Sequence, residues 1–135
     1  MTQEFVPYEL AVKLKALGFD EPCFGWFRST LIPSNFTEYF LETEFGMNES
    51  PSDWVNSNFL DKACSAPLYQ QAFRWFREKY DLFTHIEKGE NPKNFYPIID
   101  NVSHKYNPKL WFDTYEETEL ACLEKLIEIV ESKSE

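Results

Sequence analysis

Residues 7–27 read PYELAVKLKALGFDEPCFGWF. At about 100° per residue, Pro7, Leu10, Ala11, Leu14 and Leu17 share one face, while Glu9, Lys13 and Lys15 lie off it. The spacing predicts a helix from Pro7 to Leu17, with proline in the first turn, where its missing N–H is not needed. Gly18 can take the left-handed cap and Phe19 can fold back on the last turn. Asp20, Glu21 and Pro22 then make a turn. Cys23 to Phe27 reads as a strand, with Phe24 and Trp26 on one side and Cys23 and Phe27 on the other. Gly25 inside it marks a bulge or a close approach of another chain segment. A helix that reverses into a strand within so few residues sets the expected class, α+β, and the remaining segments are read outward from it.

Downstream, SAPLYQQAFRWFREKY (residues 65–80) carries a second helix. Ser65 or Ala66 is its expected cap, with Pro67 in the first turn. Tyr69, Phe73, Phe76 and Tyr80 fall within about 60° of one another, and Leu68, Ala72 and Trp75 extend the arc. Gln70, Arg74, Arg77 and Glu78 lie opposite. The third helix begins with a capping box, Thr114 with Glu117. Acids Asp113, Glu116, Glu117 and Glu119 suit its positive end. Leu120, Cys122, Leu123, Leu126, Ile127, Ile129 and Val130 cover about half its circumference, which requires packing against a sheet and a neighbour. Glu117, Glu124, Glu128, Glu131 and Glu135 form an acidic stripe on the other arc.

Between the last two helices, Leu82 to Glu87 alternates like a strand, Lys88 to Pro92 turns, and Phe95 to Ile99 returns, with Pro97 demoting it towards an edge. A short strand around Leu110 to Phe112 follows. Residues 30–64 are the least legible. Ser34 and Asn35 could cap a short helix carrying Phe36, Tyr39 and Phe40, or the same stretch could pair back on the first strand. Glu49 to Asp53 is a loop, followed by Trp54 in a polar context. The whole reads as a single domain, 1–135, with a loop or insertion around 46–60 and a frayed tail at 131–135. Its expected architecture is a small, mainly antiparallel sheet covered on one face by about three helices.

The 135 residues suffice for one core, and 43% hydrophobic with 27% charged residues is a globular composition. Aromatic residues reach 18%, so part of the ring surface is expected to meet a partner. The plain alternative is a core built from rings. A net charge of −10 opposes non-specific nucleic-acid binding and suits either solubility or a basic partner. Cys23, Cys64 and Cys122 are widely spaced and odd in number, the start is charged, and no apolar run approaches a membrane span. Three free thiols in a reducing cytoplasm is the expectation.

Three segments, YELAVKLKALGFDEPCFGWF, APLYQQAFRWFREKY and TYEETELACLEKLIEIV, occur in this order. Together they resemble a family of small uncharacterised proteins of Bacteroidetes and of the phages and prophages that infect them. The resemblance implies a cytoplasmic protein; if a phage encodes it, the place is the host cytoplasm and a host factor is the expected partner. It carries over no catalytic or binding residue. Ser29 to Lys62 and Leu82 to Phe112 match only loosely, and individual specificity is expected there.

Motifs for chemistry are missing. There is no C-x-x-C, H-x-x-x-H or H-E-x-x-H spacing, and His85 and His104 stand alone, as solvent or structural histidines do. All four glycines are isolated, so no phosphate-cradling loop exists. Cys122 falls in an apolar arc and is expected to be inert. Cys64, just ahead of the second helix, is the one thiol placed where a thiolate would be favoured. These readings give a non-enzyme with no metal and no cofactor. The leading expectation is a protein-binding module with Gln70, Arg74, Arg77, Trp54 and Trp26 as contact residues. The alternative is an aromatic pocket for a small anion held by Arg74 or Arg77. Solvated helix faces are the plain alternative for both charged surfaces, and a homodimer is left open.

Overall fold

The computed structural model describes residues 4–31, 37–43, 55–58, 63–89, 94–100, 105–106 and 112–133. The fold is α+β, with three α-helices and short antiparallel strands among the described residues. The described strands divide between two three-stranded sheets rather than forming one. The chain correspondingly forms two compact units, Met1–Leu68 and Tyr69–Glu135.

In the first unit, α1 (Tyr8–Ala16) buries Leu10, Ala11 and Leu14, three of the residues the 3.6-residue period placed on one face. Pro7 precedes it in extended conformation. Gly18 takes φ 101°, donates to the Lys15 carbonyl, and lets Phe19 donate back to Leu14 over 3.0 Å. This closes both orphan carbonyls and tucks the Phe19 ring into the core at 1% exposure. The strand expected from Cys23 begins two residues later, as β1 (Gly25–Leu31), although the alternation holds: Cys23, Gly25 and Phe27 are buried and Phe24 is exposed. Gly25 marks a close approach. A Cβ there would lie 3.1 Å from the Phe5 ring and 3.2 Å from the Glu42 carbonyl.

β1 is the middle strand, between β2 (Thr37–Glu42) and β3 (Cys64–Ala66), both antiparallel to it. The strand alternative for residues 36–40 is therefore the one realised over Thr37 to Phe40. The expected cap at Ser65 or Ala66 is corrected: these residues pair with Trp26 and Gly25. Proline disfavours the helical region for the residue before it, which holds Ala66 extended. Pro67 accepts the Val6 N–H through its carbonyl instead of opening a helix. The loop at Glu49 to Asp53 and Trp54 lie outside the described residues.

In the second unit, α2 (Tyr69–Tyr80) buries Tyr69, Ala72, Phe73, Trp75 and Phe76 and exposes Gln70, Arg74, Arg77 and Glu78, matching the two arcs read from the sequence. Trp75 meets Phe76 and Tyr80 edge-on at 5.0 and 5.5 Å. Asp81, at φ 59°, turns the chain so that Leu82 donates back to the Phe76 carbonyl. β4 (Phe83–Lys88), β5 (Phe95–Asp100) and β6 (Lys105–Tyr106) follow in the order β4-β5-β6. α3 (Tyr115–Lys133) packs on β5 and β4 and beside α2. Thr114 caps it by accepting the Glu117 N–H over 3.1 Å. Helix continues through Lys133 over most of the stretch expected to fray, where Ser132 Oγ donates to the Glu128 carbonyl.

The edge assignment for Phe95 to Ile99 is corrected, because β5 is central. Phe95 exchanges both backbone bonds with Phe112, so its N–H points away from β4. By the two-residue repeat Pro97 points the same way, opposite Ile86 at a position that makes no ladder bond with β4. A proline there costs β4 nothing. Phe112 enters this bridge, while Leu110 and His104 lie outside the described residues.

Candidate functional site

The same parity fixes the outer edge of β4. Residues opposite Phe95, Pro97 and Ile99, namely Lys88, Ile86 and Thr84, direct N–H and C=O away from β5. Among the described residues no strand pairs with that edge. The side chains of Thr84 and Ile86 share a face with Phe95, whose ring meets Tyr115 of α3 edge-on at 6.1 Å. Phe83, His85 and Glu87 occupy the other face. There Phe83 is 48% exposed, and His85 Nε2 lies 3.0 Å from Glu87 Oε1 in an exposed pair.

Beside β4, a cavity of about 280 Å³ lies between the strand and the N-terminal halves of α2 and α3. Gln70 and Phe73 of α2, Thr84, His85 and Ile86 of β4, and Tyr115 and Cys122 of α3 line it. Glu119, only 9% exposed, lies on the α3 line that also carries Tyr115 and Cys122 but is not among the lining residues. Gln70 Nε2 donates to Glu119 Oε2 over 3.4 Å. Burial, and then the Glu119 charge, raise the Tyr115 hydroxyl and push the Cys122 thiol up to about 12. The same two causes, followed by Glu124, push Tyr69 up to about 12. All three groups stay neutral at pH 7.

In the sequence, Glu119 reads as a complement to the helix dipole. Its position three, four and seven residues before Cys122, Leu123 and Leu126 was the available signal, since that spacing puts it on the apolar stripe. Gln70 belongs to the cavity wall. Arg74 and Arg77 do not line it; Arg74 Nε lies 3.9 Å from Glu78 Oε1 in an exposed i,i+4 contact. Trp26 is half-buried on β1 in the first unit, and Trp54 lies outside the described residues.

The placement of Cys64 is also corrected. It is a fully buried strand residue rather than a helix-entry thiol, and desolvation, opposed by Lys15, pushes it up to about 12. That is the reverse of an activated nucleophile. Among the described residues no group of three His, Cys, Asp or Glu side chains is placed to hold a metal ion, and no helix is long and apolar enough to cross a membrane. Compared with family models, curated proteins and solved structures, the chain matches none of them.

Proposed function

We propose that the protein is a non-catalytic binding module that receives an extended segment of another protein along the outer edge of β4. The observation that carries this reading is the edge itself. Thr84 and Ile86 offer outward N–H and C=O groups that no strand pairs among the described residues, directly beside a side-chain-sized cavity. In strand addition, main-chain hydrogen bonds supply affinity and pockets for alternate side chains supply selectivity. The exposed Phe83 ring adds apolar contact on the opposite face, and the exposed Arg74 and Arg77 on α2 give charged groups for a polar rim. If a phage encodes the chain, as in the family it resembles, the partner is a host factor and the place of action the host cytoplasm. A second copy of the chain, pairing β4 on β4, is the competing occupant.

Selecting extended peptides from a random library on the intact chain, then following amide exchange, tests this. Slowed exchange at Thr84 and Ile86 on binding is the expected result. Selected peptides that leave both amides exchanging as before overturn the strand-addition reading. Concentration-dependent dimerisation that protects the same two amides assigns the edge to a second copy.

A further inference from the structure

We infer that, while no partner segment is present, the outer edge of β4 pairs with the same edge of a second copy, antiparallel and about a two-fold axis at Ile86. The inference rests on the open-edge reading above and deepens it by naming what masks the edge. A partner strand then gains access by displacing the second copy.

Ladder parity is the first argument. Thr84, Ile86 and Lys88 direct N–H and C=O outward. A ladder of β4 on β4 must set these residues opposite one another, which leaves Phe83, His85, Glu87 and Gly89 to the alternate positions. The two-fold axis can therefore pass through a residue but not between two. Near the middle of the strand the allowed centres are His85, Ile86 and Glu87.

Side-chain chemistry chooses among the three. An axis at Glu87 sets two carboxylates against each other, and like charges directly opposite are destabilising. An axis at His85 sets Glu87 against the Phe83 ring. An axis at Ile86 sets His85 opposite Glu87 twice, Ile86 opposite Ile86, Thr84 opposite Lys88 and Phe83 opposite Gly89. The stretch FTHIEKG, residues 83–89, is thus complementary to itself in this register alone of the three.

The side chains are available for it. His85 and Glu87 are 54% and 46% exposed, and within one strand His85 Nε2 already lies 3.0 Å from Glu87 Oε1. Residues two apart on a strand are separated by about 6.6–6.8 Å, whereas directly opposite residues bring their Cβ atoms to about 4.5–5.5 Å. The contact made along the strand can therefore be remade across it, twice. The exposed Phe83 ring gains cover by lying over Gly89 of the second copy, as aromatic rings do across from edge glycines. On the other face the two Ile86 side chains meet beside the cavity that Thr84 and Ile86 line. The net charge of −10 on each copy opposes association. At physiological salt, charges more than about 8 Å apart are largely screened, while the cross-strand pairs are in contact.

The experiment is sedimentation of the full chain over a range of concentrations at physiological salt. A monomer–dimer equilibrium with a Kd on the order of 100 µM is expected of so small an interface. A chain that stays monomeric throughout overturns the inference. Glu87→Lys sets a lysine against His85, and His85→Glu sets a carboxylate against Glu87. Each variant alone should weaken the dimer about tenfold or more. Mixed in equal amounts, the two should recover a heterodimer about as tight as the original, because each introduced charge then faces its opposite. Mixing changes neither chain, so an effect within one strand cannot produce that recovery. A mixture that fails to associate overturns the inference. So does Glu87→Lys that dimerises unchanged, the result an axis at His85 requires.

A second arm separates this inference from the strand-addition reading, using a peptide that protects Thr84 and Ile86. Dissociation of the dimer by that peptide supports both. A peptide that binds while the dimer persists places the two on different edges and overturns self-pairing. Peptide protection of a chain that never dimerises keeps strand addition and removes self-pairing. A dimer with the heterodimer recovery, from which no selected peptide displaces a copy, keeps self-pairing while the reading of another protein as partner falls.

Discussion

Asn56 donates its side-chain Nδ2 to the Phe19 carbonyl over 2.6 Å, and its Oδ1 accepts the Ser65 N–H over 2.8 Å. One asparagine, 6% exposed in a short 3₁₀ turn, thus ties the end of α1 to β3. Ser57 reinforces the tie by donating its N–H to Asp20 Oδ1. Replacing Asn56 by alanine strands a buried carbonyl and a buried N–H together. The expected cost is about 1–3 kcal/mol, with faster amide exchange at Ser65. Unchanged exchange at Ser65 would show that the clamp contributes nothing.

Thr114→Ala should cost about 1 kcal/mol, because it removes the acceptor for the Glu117 N–H. Ile127→Ala should cost about 2–5 kcal/mol, since Ile127 is 1% exposed in the buried face of α3. Urea unfolding of the two variants checks both values. Equal small losses would mean that α3 is loosely attached to its sheet.

α2 separates its two arcs cleanly enough for a paired test. Phe76, fully buried, should cost about 3–5 kcal/mol when truncated to alanine. The double variant Arg74→Ala with Arg77→Ala should change stability by less than about 1 kcal/mol, because both arginines are exposed and the Glu78 contact is solvated. Unfolding of the double variant in urea would show that the arginines have a structural role.

The thiols give a pH test. Burial pushes Cys64 and Cys122 from an ordinary 9.0 up to about 12, and Tyr69 from 10.0 to about 12. As pH rises above 9 the unfolded chain releases protons that the folded chain retains. The stability from these groups is complete below their unfolded values and is lost as pH climbs towards 12. Urea midpoints should therefore fall between about pH 8 and pH 10.5, and Cys122→Ala should flatten the decline. Native protein at pH 8 should also resist a thiol reagent that labels all three cysteines once unfolded. Rapid native labelling would place at least one thiol outside the core.

By itself the sequence determined what depends on neighbours along the chain. The periods of Leu10, Ala11 and Leu14, of Phe73 and Phe76, and of Cys122 to Val130 are set by 3.6 residues per turn, so the three helices and their buried arcs were legible. The Gly18 closure and the Thr114 cap were legible for the same reason, since both are contacts within one turn. Tertiary structure decided what depends on partners distant in sequence. Cys64 to Ala66 became a strand because β1 lay open to pair with it. Thr37 to Phe40 became a strand rather than a helix for the same reason. Pro97 could occupy a central strand because ladder parity, invisible in one segment, turned its missing N–H away from β4. Half of the candidate site follows suit. Gln70 was legible on the polar arc of α2, but the cavity exists only where β4, α2 and α3 converge.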